Sequence, residues 1–312
     1  MLPRVTIYLP TYKNEGTTAV VIKSFLDQTY KNIQIKIFDN GASVGAYKIR
    51  NFISSLNDTR VLLHENITQI GHRLNYGQIL SSVDPNSLAM ILPSDYGLAP
   101  NAIQRMVEIL LGTNSSIVYT SCREYDIRKM KNKVNFSFAN SSFIEVNHGD
   151  INTSKLSSVD VLKKFYSDEN INGEFNGYSI FGSLFEGNLL SNFPSEWSGF
   201  AGHGFEQFLS LSLLLRSESV YYCNENLLYN IIGVPRIGGT ERLESDIYRI
   251  DCIMATQRII EDYSILLESK GIDVDELRLS QIEKARYFLK HYSGFRKYAL
   301  RIIHANQFMV AD

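Results

Sequence analysis

Val5-Thr6-Ile7-Tyr8-Leu9-Pro10-Thr11-Tyr12-Lys13-Asn14 is an apolar, β-branched run that breaks at a proline and then presents polar side chains. Met90-Ile91-Leu92-Pro93-Ser94-Asp95-Tyr96-Gly97 repeats that pattern, and between them Ile33-Gln34-Ile35-Lys36-Ile37-Phe38-Asp39-Asn40-Gly41 ends in a carboxylate and a glycine turn. Buried strands that stop abruptly in this way deliver side chains to the carboxyl ends of an α/β sheet. Three such ends are expected to line one crevice.

Working outward, strands are expected over 4–10, 33–39, 60–64, 87–93 and 115–121, alternating with helices over 16–28, 45–56, 72–83 and 100–112. This alternation predicts a mainly parallel sheet with helices on both faces. Pro100 is expected near the first turn of its helix and Gly112 at its end. The rhythm fails after Cys122: residues 124–155 read as a hairpin or loop. Helices over 158–167 and 203–216 flank an apolar, glycine-spaced run at 177–190, and Ser219-Val220-Tyr221-Tyr222-Cys223 reads as a strand. The tail carries two long helical patterns, 244–270 and 274–305.

The 312 residues are 44% hydrophobic with a formal net charge of −2, which excludes a general affinity for nucleic acid. Cys122, Cys223 and Cys252 are widely spaced and lack CxxC pairing, disfavouring a disulfide framework and a zinc site. Met1-Leu2-Pro3-Arg4 leads straight into a strand, and no apolar stretch is long enough to span a bilayer. The expected location is cytoplasmic.

In order and spacing, Pro10-Thr11-Tyr12, Ser24-Phe25-Leu26-Asp27-Gln28-Thr29-Tyr30, Asp39-Asn40-Gly41, Gly71-His72-Arg73-Leu74-Asn75-Tyr76-Gly77 and Ser94-Asp95-Tyr96 resemble the nucleotide-sugar-binding half of family 2 glycosyltransferases. The resemblance implies a GT-A fold, α/β with a Rossmann-like sheet, over residues 1–240, followed by a helical extension over 241–312. Within the first part, 1–121 would be the nucleotide-sugar half and 122–240 the acceptor half. The implied reaction moves a sugar from a nucleotide donor, expected to be UDP-linked, to a hydroxyl of a glycan or lipid-linked saccharide, with inversion.

The resemblance also assigns roles. Asp39 would accept a hydrogen bond from the imide N–H of uracil, or would simply cap its turn. Pro10, Thr11 and Tyr12 would contact the nucleotide, and Arg73 and Asn75 would approach the diphosphate with His72. Ser94 and Asp95 stand where relatives carry an acidic motif holding the ribose and a divalent cation, Mn²⁺ or Mg²⁺. Here that motif is reduced to Asp95, so the metal's remaining ligands must be phosphates and water.

Glu206-Gln207 stands where the family's Glu-Asp pair supplies the general base, so Glu206 is the expected base and His203 the next candidate. Trp197 would be a platform for a sugar ring, and Arg236, in a glycine-rich loop, would pair with a phosphate. Between 284 and 304 basic and apolar residues interleave; such a helix either touches an anionic membrane surface peripherally or packs its apolar stripe on its own domain. Two rival functions remain: a sugar-nucleotide-binding protein with impaired catalysis, and a sugar nucleotidyltransferase. The latter needs a phosphate loop of which Pro10–Gly16 is a poor version.

Overall fold

The computed structural model describes residues 2–12, 15–41, 46–126, 144–145, 153–166, 179–191, 193, 203–232, 241–291 and 296–310. In chain order the elements are β1 (Val5–Thr11), α1 (Glu15–Leu26), β2 (Ile33–Asp39), α2 (Ala46–Leu56), β3 (Val61–Glu65), α3 (Gly71–Ser81), β4 (Leu88–Ile91), β5 (Tyr96–Leu98), α4 (Ala102–Thr113) and β6 (Ile117–Asp126). There follow β7 (Ile144–Glu145), β8 (Ser154–Ser157), α5 (Ser158–Tyr166), β9 (Leu184–Glu186), α6 (His203–Arg216), β10 (Ser219–Ile232), α7 (Glu241–Ser269), α8 (Val274–His291) and α9 (Arg296–Val310).

They form two compact units that interleave along the chain. One comprises Met1–Lys155, Ile180–Glu196 and Ser219–Arg236; the other comprises Leu156–Ser179, Trp197–Glu218 and Ile237–Asp312.

The first unit is built on a mixed sheet whose main order is β3-β2-β1-β4-β9-β6-β10-β5. β1 runs parallel to β2 and β4, and β2 parallel to β3, while β9 and β5 are antiparallel insertions. Alternation along β1 sends Val5, Ile7 and Leu9 into one core with Val21, Ile22 and Phe25 of α1 and Ile103 and Met106 of α4. Tyr8 points the other way, and its hydroxyl donates to the Ser82 carbonyl at 3.2 Å, just past α3. Helices therefore cover both faces, as the alternating pattern predicts. Each fully buried Leu, Ile or Phe of this core contributes about 1.5–3 kcal/mol.

A proline in a central strand needs an explanation. Tyr8 C=O accepts from Leu92 N–H at 3.0 Å, so even-numbered residues of β1 turn their backbone polar groups toward β4. β4 pairs only as far as Tyr8, opposite Ile91. Pro10 lies one step beyond the ladder, and its missing N–H removes no bond.

Several boundaries depart from expectation. α4 runs through Gly112 and ends at Asn114, which takes the left-handed conformation (φ 50) and donates its N–H to Leu110 O; Pro100 lies before the helix rather than in its first turn. The final helical pattern is two helices, α8 and α9. The strand expected to end at Cys223 continues to Ile232, through register shifts between Cys223 and Leu228.

In the second unit α6 packs on α5 and α7, and α8 and α9 pack together. Ile253, Ala285, Ala299 and Ile302 form a small apolar core there. Lys284 is buried, so it belongs to no basic surface, whereas Arg286, Lys290, Arg301 and His304 are exposed. Of the tail's apolar residues, Ile302 is buried and Leu289 and Ile303 pack against that core, while Tyr287 and Leu300 are exposed. No helix among the described residues is long and apolar enough to cross a membrane.

One side chain ties α1 to the start of α4. Gln28 is fully buried; its Nε2 donates to Ala99 O at 2.7 Å and to Ser24 O at 3.0 Å, and its Oε1 accepts from Ile103 N–H at 3.1 Å. Gln28→Ala takes the side-chain acceptor from the Ile103 N–H and one of two donors from Ala99 O, and opens a void. It is expected to lower unfolding free energy by about 2–4 kcal/mol. Urea denaturation at pH 7 measures this; an unchanged midpoint would show that the clamp carries no stability.

Candidate functional site

Three parallel strands of the first unit end in register: Thr11 opposite Asp39, and Asp39 opposite Glu65. Register partners share a sheet face, so these three side chains form a row across the carboxyl edge. Thr11 Oγ1 donates to Asp39 Oδ1 at 3.0 Å, and Asp39 is only 2% exposed. A buried carboxylate is tolerable only when hydrogen-bonded, and Thr11 supplies such a bond.

The end of β2 is held from behind as well. Asn66 donates to Asp39 O from its backbone N–H at 3.2 Å and from Nδ2 at 2.8 Å. Asn66 Nδ2 also reaches Asn75 Oδ1 at 3.2 Å, and Asn75 Nδ2 donates to Phe38 O at 3.0 Å. Gln78 Nε2 closes the network on Asn66 Oδ1 at 2.9 Å. Asn75, 2% exposed with both ends of its amide engaged by protein, supports the β2 terminus. Asn66 was not apparent in the sequence, where nothing distinguishes it from any asparagine after a strand.

Tyr12 is half-buried, and its hydroxyl donates to Gln69 Oε1 at 2.8 Å. Arg73 is exposed on the first turn of α3; beside it the ring of His72 lies 4.4 Å from that of Tyr76. In the loop after β4, Tyr96 N–H donates to Pro93 O at 3.0 Å, making a tight turn that carries Ser94 and Asp95. Ser94 is buried and Asp95 half-buried. Asp95 O accepts from Ile231 N–H at 2.8 Å, so β10 fixes the backbone from which this carboxylate projects.

Among the described residues no cluster of three His, Cys, Asp or Glu groups could hold a metal alone. Asp95 therefore fits a hard cation of the Mg²⁺ or Mn²⁺ kind only where the phosphates of a ligand and water complete the shell.

In the second unit, Glu206 lies in the first turn of α6, partly exposed, and accepts a hydrogen bond from Ser179 Oγ. Its neighbour Gln207 is buried. His203 begins α6, but its side chain lies outside the described residues, as do Trp197 and Arg236.

This sheet, with its row of strand ends and its C-terminal helices, is the GT-A architecture. The model of Glycosyl transferase family 2 matches residues 6–165, more than half of the chain, and the chain belongs to that family. No curated protein sequence matches it. Among solved structures it is similar to S. aureus TarS, with TM-score 0.60 at 10% identity, covering 91% of this chain and 43% of that one. It is also similar to S. aureus TarS 1-349 in complex with UDP-GlcNAc, with TM-score 0.57 at 11% identity, covering 97% and 89%. A third similar structure is the mannosyltransferase PcManGT from Pyrobaculum calidifontis in complex with GDP-Man and Mn2+, with TM-score 0.51 at 13% identity, covering 98% and 88%. At these identities the likeness establishes the fold.

Gly41 lets the chain turn under this site. Its φ is +79, and a Cβ there would fall 2.3 Å from Thr68 O and 2.6 Å from Asn66 O. Backbone oxygens cannot yield as a side-chain tip does, so Gly41→Ala is expected to displace the 66–68 segment and cost about 1–3 kcal/mol through strain alone. Urea denaturation checks the cost; a variant as stable as the parent would show that the crossing is loose.

Proposed function

We propose that the protein transfers a sugar from a UDP-linked donor to a hydroxyl of a glycan or lipid-linked saccharide, with inversion at the anomeric carbon. The observation that carries this reading is the Thr11–Asp39 hydrogen bond at the carboxyl edge. A guanine edge presents two adjacent N–H donors and is best met by both oxygens of a carboxylate, which competes with the bond from Thr11. Uracil presents a single imide N–H and leaves that bond intact. UDP-GlcNAc bound to TarS 1-349 is consistent with this preference, whereas the GDP-Man of PcManGT marks the alternative on the same fold.

The chemistry requires base recognition, neutralisation of the departing diphosphate and removal of a proton from the acceptor. In this reading Asp39 reads the base, Tyr12 stacks beside it, and Ser94 and Asp95 hold the ribose. Asp95 with the donor phosphates would hold a divalent cation, which when bound supplies positive charge to the leaving group. Arg73 adds charge from α3, and Arg236 is assigned a second phosphate contact. Glu206 removes the acceptor proton, with Trp197 as sugar platform and His203 as the alternative base. A lipid-linked acceptor would bring the protein to a membrane surface, where the exposed basic residues of the tail would face anionic headgroups. One specific observation favours a second reading, a sugar-nucleotide-binding protein with impaired transfer: Asp95 is alone in its loop and buried Gln207 replaces the family's second carboxylate.

Asp39→Ala should remove a hydrogen bond to a charged group, about 1.5–3 kcal/mol, and weaken UDP binding roughly tenfold to a hundredfold. Calorimetry of the purified chain decides; unchanged UDP affinity would remove Asp39 from the base pocket.

Glu206→Gln keeps a carbonyl to accept from Ser179 but cannot take a proton. Transfer is expected to fall about a hundredfold to ten-thousandfold, with UDP affinity and melting temperature nearly constant. Near-normal transfer in this variant would move the base to His203. Wild type that binds UDP-sugars yet transfers to no member of a broad acceptor panel would favour the non-catalytic reading.

A further inference from the structure

The row of strand ends continues past Asp39 to Glu65, and Glu65 carries a passenger. Arg50, on α2, donates from Nε to both Glu65 carboxylate oxygens at 3.0 Å, and its Nη2 lies 2.9 Å from Oε1. One edge of the guanidinium is thus spent on Glu65, while Nη1, with two N–H groups, makes no hydrogen bond among the described residues. Glu65 is the register partner of Asp39 on the adjacent strand, about 4.8 Å away along the row. The Glu65 hydrogen bond, then the Glu65 charge, and more weakly the Asp39 charge, raise the Arg50 pKa, so the cation stands within the field of the base-reading carboxylate.

Stability does not account for this arrangement. The Arg50 side chain is 59% exposed and that of Glu65 29%, and such surface pairs contribute little to folding. What the pair does is hold a planar donor on Glu65, the register partner of the buried acceptor Asp39. Donor beside acceptor is the complement of a nucleobase edge that presents a carbonyl beside an N–H. Uracil has that edge, with O4 next to N3–H. Cytosine has an amino group next to a bare ring nitrogen, which sets donor against donor and acceptor against acceptor.

We propose that Arg50, held in place by Glu65, is a second base reader whose Nη1 donates to the carbonyl oxygen flanking the imide N–H accepted by Asp39. Glu65 is then a positioning residue. This inference rests on the nucleotide-sugar reading of the site and adds to it the means by which pyrimidines are told apart.

The test compares UDP and CDP binding by calorimetry in the full chain and in Arg50→Ala, Arg50→Lys and Glu65→Gln. Arg50→Ala should weaken UDP binding roughly three- to tenfold and leave CDP binding within about twofold, lowering the UDP-over-CDP ratio accordingly. Arg50→Lys keeps the charge without the fork and should recover part of the ratio. Glu65→Gln should lose less of it than Arg50→Ala. An unchanged ratio in Arg50→Ala overturns the assignment. So does an equal loss for UDP and CDP, which would mark Arg50 as a general attractor for the diphosphate. Should wild type bind neither nucleotide, the nucleotide-sugar reading falls and this assignment with it; UDP binding by wild type with an unchanged ratio removes Arg50 alone.

Discussion

A carboxylate that is 2% exposed at the end of a parallel strand is the constraint on which this sheet edge is organised. Leaving Asp39 buried without hydrogen bonds would cost several kcal/mol, so neighbouring backbone and side chains are arranged around it. Thr11 donates to the carboxylate from β1, Asn66 gathers the Asp39 carbonyl from the far side, and Asn75 secures Phe38 O one residue earlier. Gly41 supplies the turn that lets the 66–68 backbone pass so close. Each of these contacts joins segments remote in sequence, and together they fix the direction of Asp39 before any ligand arrives.

The second strand end is held by different means. The loop carrying Ser94 and Asp95 is too short to make its own network, so it borrows rigidity from its surroundings. β10 pins it at Asp95 O and pairs with β5 immediately afterwards, while Ser24 of α1 and Gln28 just past that helix fasten the segment from Leu98 to Ile103. The motif around Gln28, which the resemblance marked only by its spacing, thus has a mechanical meaning. It fixes the path of the chain as it leaves the Asp95 loop for α4.

The legible parts of the sequence were those where one physical preference dominates. β1, β2 and the helix between them show clean apolar patterning, and their bounds agree with expectation to within about two residues. β5 and β9 are three residues each and antiparallel, too short to leave a periodic trace, and they exist because longer neighbours offer them an edge. Gly112 misled because a helix can run through a glycine at modest cost, whereas Asn114 could adopt the left-handed conformation that ends it. Lys284 misled because charge in a sequence reads as solvent exposure, and only tertiary packing shows it buried. In the site, Thr11 and Asp39 were visible as strand-end polar residues. Asn66, Arg50 and Glu65 were not, because their significance lies wholly in which strand stands next to which.

The two halves of the site differ in how much the protein invests in advance. At the strand ends Thr11 is bonded to Asp39 and Arg50 to Glu65, so these side chains are oriented by protein groups. In the loop after β4 Asp95 is a half-buried carboxylate, and on α3 Arg73 is an exposed cation. Preorganised polar groups lose little freedom on binding, whereas exposed side chains must be ordered and are screened by salt. In the proposed reading the nucleoside would therefore meet the more preorganised of these groups. In that reading the diphosphate would meet Asp95 and the exposed Arg73, and a cation carried in on the phosphates would complete its shell there with water.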